Sequence, residues 1–173
     1  MKNYVEYLES AYLIFELPKF SFKPKEVVRS DKKVYAVDTG MLNAVLPKVS
    51  ENIGRLMENA VFIELLRFKY YKRHSVELYH YRDTKGEVDF VVRDKGETEL
   101  IQVTYASSED EVASREVENL FRVMKLFGVN RGTLVTWDYS DEIVENGLKV
   151  EAVPLWRWLL NSHVKLFNQD PNI

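Results

Sequence analysis

Between Val76 and Tyr105 the chain reads as three consecutive strands, and this stretch limits the possible folds more than any other. Val76 to Arg82 alternates apolar and polar residues. Glu87 to Arg93 repeats the pattern, with Val88, Phe90 and Val92 expected on one face and Glu87, Asp89 and Val91 on the other. Asp94-Lys95-Gly96 offers a short hairpin connection. Glu99 to Tyr105 then sets Ile101, Val103 and Tyr105 opposite Leu100, Gln102 and Thr104. Ser108-x-x-Glu111 has capping-box spacing and opens a helix expected to reach about Phe127, with Ala113, Val117, Leu120, Met124 and Phe127 as its buried stripe and Gly128 as its end. A meander followed by a helical crossover to another strand, Gly132 to Trp137, requires a mixed sheet with helices packed on it.

The flanking segments extend this frame. Downstream, a polar loop leads to a strand at Leu148 to Val153 and a short helix at Leu155 to Leu160, with a frayed tail from His163. Upstream, Arg55 to Arg73 is a long helical pattern. On a helical wheel its broad apolar face comprises Leu56, Met57, Ala60, Val61, Ile63, Phe68, Tyr70 and Tyr71. Glu64 and Arg67 interrupt that face and are spaced to pair; Glu58 lies at its edge. Before it, Asp38 is placed to cap a helix over Thr39 to Leu46, which Pro47 ends. Tyr4 to Tyr12 has helical spacing. Leu13 to Leu17 and Lys33 to Val37 read as strands, with Phe20 and Phe22 alternating among lysines between them.

Several chemistries are excluded. The 173 residues include no cysteine, so disulfide scaffolds, cysteine nucleophiles and thiolate metal sites are ruled out. There is no GxxxxGK[ST], so the chain has no P-loop for ATP, and neither GxGxxG nor GxSxG occurs. His74, His80 and His163 share no ligand spacing. The start lacks a signal-peptide pattern and no run is long enough for a membrane span, so a cytoplasmic protein without a membrane partner is expected. The net charge of −3 conceals an asymmetry. Lys19, Lys23, Lys25, Arg29, Lys32 and Lys33, against Glu26 and Asp31, give a +4 segment, so the remainder sums to −7. Such a stretch reads either as a phosphate-binding face for DNA or as a solvated loop.

What remains is an acidic constellation. Glu87 and Asp89 share one side of a strand, Gln102 and Thr104 come from the neighbouring strand, and Glu58 can approach from the long helix. Oxygen donors at a sheet edge suit Mg²⁺, bound weakly here because the set is poor in charge. A cation so held could activate water for phosphodiester cleavage. The plainer reading is that this face is wet.

The stretches GRLMENAVFIELLRF, YHYRDTKGEVDFVVRDKG and ELIQVTYASSEDEVASREVENL resemble the C-terminal domain of predicted archaeal AAA+-type ATPases, which has a PD-(D/E)XK nuclease-like fold. YVEYLESAYLIFELPKFSFKPKE and KVYAVDTGMLNAVL are similar to the winged-helix-like region that precedes it in those proteins. The resemblance implies an α/β (α+β) fold, restriction-endonuclease-like, with a winged-helix-like remnant over 1–50, the nuclease-like domain over 51–162 and a tail over 163–173. It also implies an AAA+-type ATPase module as partner if the chain is a fragment. Matched by position, Glu58 is the acid of the first core helix and Asp89 the metal-binding aspartate. The third motif, normally (D/E)-x-K, reads Gln102-Val103-Thr104: Gln102 offers a carbonyl oxygen, and Thr104 offers no cation for the transition state. Lys85 and Arg115 are the candidates for a relocated cation, and Arg115 could alternatively pair with Glu58. The leading expectation is therefore a catalytically impaired module that binds nucleic acid or a partner. The alternatives are an active Mg²⁺-dependent nuclease and a dimerisation module anchored by Trp156, Trp158 and Leu159.

Overall fold

The computed structural model of the chain describes residues 2–23, 31–45, 52–71, 74–112 and 114–165. Helix α1 (Lys2–Ser10) leads into a two-stranded antiparallel ribbon, β1 (Ile14–Pro18) and β2 (Lys32–Ala36). Helices α2 (Thr39–Val45) and α3 (Asn52–Tyr71) follow. Asp38 caps α2 as expected, its Oδ1 accepting from the Met41 N–H at 2.8 Å. Next come β3 (Glu77–Arg82), β4 (Glu87–Asp94), β5 (Glu97–Val103), α4 (Ser114–Phe127), β6 (Arg131–Thr136), β7 (Asp141–Glu145), β8 (Leu148–Pro154) and α5 (Leu155–Lys165).

The six strands form one mixed sheet in the order β3-β4-β5-β6-β8-β7. The β3-β4-β5 meander is antiparallel, α4 crosses over so that β6 runs parallel to β5, β8 is parallel to β6, and β7 closes the edge antiparallel to β8. The expected α/β architecture is therefore present. One apolar layer joins α3 and α5 to Phe90, Val92, Ile101, Val103, Val135 and Val153. The other joins Leu120, Phe121, Val123 and Met124 of α4 to Val88, Val91, Leu100, Leu134, Val150 and Ala152.

These layers correct the strand alternation expected for β4. Val88 packs with the α4 layer, whereas Phe90 and Val92 pack with the α3 layer. The register explains this: Tyr79 pairs with Val91 and Tyr81 with Val88, so two steps on β3 answer three on β4. The extra residue is a β-bulge at Asp89–Phe90, and it resets the alternation. Without it, Asp89 would share the face opposite Phe90, away from α3.

Other expectations change for physical reasons. The segment read as a polar loop after β6 contains β7, an edge strand with few apolar residues. Its hairpin to β8 turns on Asn146 and Gly147, at φ 50° and 80°, the left-handed pair that a tight turn of this type requires. The helix expected from Ser108 is split. Ser108 makes no side-chain cap, Glu109–Glu111 forms a 3₁₀ turn, extended Val112 follows, and α4 starts at Ser114. The apolar face of α3 is met in part: Met57, Val61 and Phe68 are buried as expected, Phe62 and Leu65 are buried as well, and Tyr70 and Tyr71 are exposed. Apolar residues surround this helix because it is covered twice, by the sheet and by the ribbon, so a wheel alone cannot pick its inner face. Phe62 shows the double cover, lying within ring-contact range of Tyr35 in β2 and Phe90 in β4. Trp158, read as part of an exposed anchor, is buried against the α3 layer; Trp156 and Leu160 are exposed.

Candidate functional site

The bulge turns Asp89 toward α3, and the ribbon brings β2 to the same place. Asn59 of α3 is buried and pairs both ways with Ala36: its Oδ1 accepts from Ala36 N–H at 2.8 Å, and its Nδ2 donates to Ala36 C=O at 3.1 Å. This side chain does for β2 what a neighbouring strand would do. One turn of strand earlier, Tyr35 stacks on Phe62 with ring centroids 4.1 Å apart, and its hydroxyl donates to Glu58 Oε1 at 2.7 Å. Two residues before Tyr35, Lys33 directs its ammonium into the space between α3 and β4.

There Lys33 Nζ donates to Glu58 Oε1 and Asp89 Oδ1, each at 2.8 Å, and also contacts Glu87. Three carboxylates from two elements thus converge on one ammonium. Asp89 is held further by its other oxygen, which accepts from Val103 N–H at 3.0 Å. The β4–β5 ladder is registered from Phe90↔Ile101 onward, so this carboxylate takes up a strand N–H just past the start of the pairing. Glu87 is fixed through its backbone: Asn119 of α4 donates to Glu87 C=O at 2.6 Å. A Cβ at Gly86 would stand 2.4 Å from Asn119 Oδ1, so glycine there permits the close approach. Arg122 grips Asp83 through both guanidinium nitrogens, at 2.7 and 3.0 Å, and steadies the β3–β4 turn.

The electrostatics follow from one positive charge among three carboxylates. Burial first, and then the Glu58 carboxylate, push the Asp89 carboxyl up to about 7, although the Lys33 ammonium opposes them. Burial alone would lower Lys33; Asp89 and Glu58 outweigh it and raise its pKa. Burial and the charge of Glu58 push Tyr35 far up, so it acts as a donor.

The residues singled out from sequence divide clearly. Glu58, Asp89 and Glu87 are brought together. Gln102 is buried beside them, with its Oε1 accepting from the backbone N–H of Asp89 at 3.3 Å. Thr104 is buried and its N–H bonds Val135 C=O at 2.9 Å. The two candidate relocated cations do not supply the charge. Lys85 is exposed in the β3–β4 turn and Arg115 is exposed near the start of α4, while Glu58 is engaged by Lys33 and Tyr35. Of the basic segment, Lys33 faces inward and is engaged by the carboxylates. Lys32 pairs with Glu16, Lys23 is exposed, Lys19 is half-buried, and Lys25 and Arg29 lie outside the described residues. Arg82 is exposed, 3.8 Å from Glu87. Glu64 is buried and pairs with an exposed Arg67, so that ion pair sits at the surface rather than inside.

Residues 53–158 match the family described as Domain of unknown function (DUF4143), and residues 1–52 match the one described as Domain of unknown function (DUF8612). The chain belongs to the DUF4143 family. The carboxylates therefore come from the DUF4143 segment, whereas Lys33 and Tyr35 come from the segment before it. The uncharacterized protein MJ1544 of Methanocaldococcus jannaschii is 35% identical over 164 residues, which are 91% of this chain and 35% of that protein. An uncharacterized protein of Haemophilus influenzae is 28% identical over 156 residues, 90% of this chain and 36% of its own length. The chain thus spans about a third of the length of these relatives. Among solved structures, a chain in the half-complex of Thermococcus gammatolerans McrB AAA+ hexamers with bound McrC aligns with a TM-score of 0.48 and 14% identity, covering 65% of this chain and 33% of that one. No described helix is long and apolar enough to cross a membrane.

Proposed function

We propose that this DUF4143 chain is a nuclease-related domain that acts on nucleic-acid phosphodiester bonds with a divalent cation, within a protein that also carries an ATPase module. The observation that carries the reading is Lys33. Sequence motifs of the nuclease-like fold call for a lysine at position 104, and threonine stands there. Lys33 brings an ammonium to the same carboxylates from β2, so the missing charge has a source.

The donor chemistry is of the kind Mg²⁺ takes: Glu58, Glu87 and Asp89 offer hard oxygens that all reach the Lys33 ammonium. Among the described residues no three such groups stand together as a ready metal site, so binding requires these carboxylates to adjust around the cation. When bound, such a cation supplies Lewis acidity and lowers the pKa of a water. The chain's own residues do the rest. Val103 N–H orients Asp89, the Tyr35 hydroxyl holds Glu58, and the four-carbon stem of Lys33 lets its ammonium follow charge developing on a phosphate. The ATPase partner rests on the sequence resemblance and on the remaining two thirds of the relatives' length, which leaves room for another module.

The test is cleavage of plasmid and branched DNA with Mg²⁺ or Mn²⁺ by the wild type, Asp89→Ala and Lys33→Met proteins. Cutting by the wild type that is lost in Asp89→Ala and falls about 100-fold or more in Lys33→Met is the expected result. Equal traces in all three proteins would refute a nuclease site.

A further inference from the structure

Strand β2 is fastened to the rest of the fold on both sides of Lys33. On one side Asn59 bonds Ala36. On the other side the fastening is a histidine of β3. Tyr79 and Tyr81 pack in the α4 layer and Leu78 in the α3 layer, so His80, between the two tyrosines within the strand, faces α3, the side of Glu58 and Asp89. It is 2% exposed. Its Nε2 lies 3.3 Å from Asp31 C=O, one residue before β2 begins and two before Lys33. A carbonyl oxygen only accepts, so Nε2 carries the ring proton and Nδ1 is left with a lone pair. Nδ1 is buried and has no partner among the described residues. Burial first, and then the Lys33 and Lys19 ammoniums, hold the pKa of the ring down against the Asp31 bond and Glu87, so the imidazole is neutral at neutral pH.

The same residue holds the other limb of the ribbon. The ribbon pairs as far as Pro18↔Lys32, and just past this pair Phe20 N–H donates to His80 C=O at 2.7 Å. Any residue at position 80 could accept that bond, and Phe20 has a second anchor in its ring, which packs in the α4 layer. The limb that leads into Lys33 differs. Asp31 and Lys32 are exposed, and the ring of His80 ties that limb to the sheet. An apolar side chain of similar size would fill the place without leaving a buried nitrogen unpaired, so what the imidazole adds is the bond from Nε2. We propose that His80 is a positioning residue: its Nε2–H and the amide of Asn59 fix β2 on either side of Lys33 and so set where the ammonium meets the carboxylates. The proposal rests on the reading above, in which Lys33 supplies charge for phosphodiester cleavage, and the placement itself is measurable without cutting.

The experiment follows the Lys33 ammonium by ¹H–¹⁵N NMR in the full chain, without metal and near neutral pH, its signal identified by absence in Lys33→Met. In the wild type the signal should be resolved, because an ammonium held by carboxylates exchanges its protons slowly. His80→Leu removes the donor and should speed that exchange about tenfold, the factor a hydrogen bond of this kind is worth. His80→Gln, whose side-chain N–H can reach the same carbonyl, should keep the exchange near that of the wild type. With Mg²⁺ and plasmid DNA, His80→Leu should lower kcat by about the same factor and leave KM within about twofold, because Lys33 acts on charge that develops in the transition state. Long-range ¹H–¹⁵N spectra of the wild type need no variant and should show the His80 proton on Nε2. A proton on Nδ1, wild-type exchange of Lys33 in His80→Leu, or exchange in His80→Gln as fast as in His80→Leu would overturn the proposal. Exchange rates as stated, with no cutting by any of the proteins, would remove the nuclease reading and support the placement.

Discussion

Asp89 is the residue on which the site's energetics turn. In the folded chain its carboxyl is raised from the ordinary 3.8 to about 7, by burial and then by Glu58. Between these values the folded chain holds a proton that the unfolded chain has released. This group's contribution to stability is therefore intact below about pH 4 and is lost as the pH rises through about 7, with a slope of at most about 1.4 kcal/mol per pH unit. Asp89→Asn keeps an oxygen for Val103 N–H and removes the charge. Urea unfolding should show the variant gaining on the wild type from about pH 4 to about pH 7 and the difference levelling off above that. A constant difference would mean that Asp89 is not held among competing carboxylates. At Tyr35, removal of the hydroxyl with Phe should cost about 1.5–3 kcal/mol, the range for a hydrogen bond to a charged group. The ring stack on Phe62 should survive, which circular dichroism in the aromatic region would show. Glu58 and Asp89 were legible from sequence through the order of the motifs they sit in, whereas strand alternation alone puts Asp89 on the wrong face. Lys33 was not, because it is separated by 56 positions from Asp89 and sits in a run of lysines that looks like a solvated face.

At the scale of elements, the site depends on two local departures from regularity. One is the bulge in β4, which swings Asp89 onto the α3 side. No glycine or proline marks it within Glu87–Asp94, so an alternating pattern hides it. The other is Asn59, which binds the β2 backbone to α3 with two hydrogen bonds. Asn59→Ala should leave a buried N–H and C=O of Ala36 without partners and cost about 2–4 kcal/mol in chemical denaturation. It should also let the ribbon lift, read as faster hydrogen exchange at Tyr35 and Ala36 than in the central sheet; unchanged exchange there would show that α3 does not hold β2. The three-strand meander and the α4 crossover could be read from the sequence because strand alternation, the Lys95-Gly96 turn and the Gly128 helix end bound them. The edge strand β7 escaped despite its Asn146-Gly147 turn, because its residues are polar and its burial slight.

The whole molecule joins a ribbon from one matched segment to a sheet from another, and the charged cluster sits at that joint beside the Asn59 and Tyr35 contacts. Its three carboxylates face one ammonium, so the account makes Lys33 the cation that offsets their charge across the two segments and that a metal ion can join. The most direct test is thermal melting of the wild type and Lys33→Met with and without millimolar Mg²⁺ at neutral pH and low salt. Methionine keeps the length of the stem and removes the charge. Without metal, Lys33→Met should lose about 3 kcal/mol, since it leaves half-buried carboxylates facing one another. Mg²⁺ should restore much of that loss and should stabilise the wild type less, because its ammonium already offsets part of the carboxylate charge. A Lys33→Met protein as stable as the wild type, or one that Mg²⁺ stabilises no more than the wild type, would contradict the account.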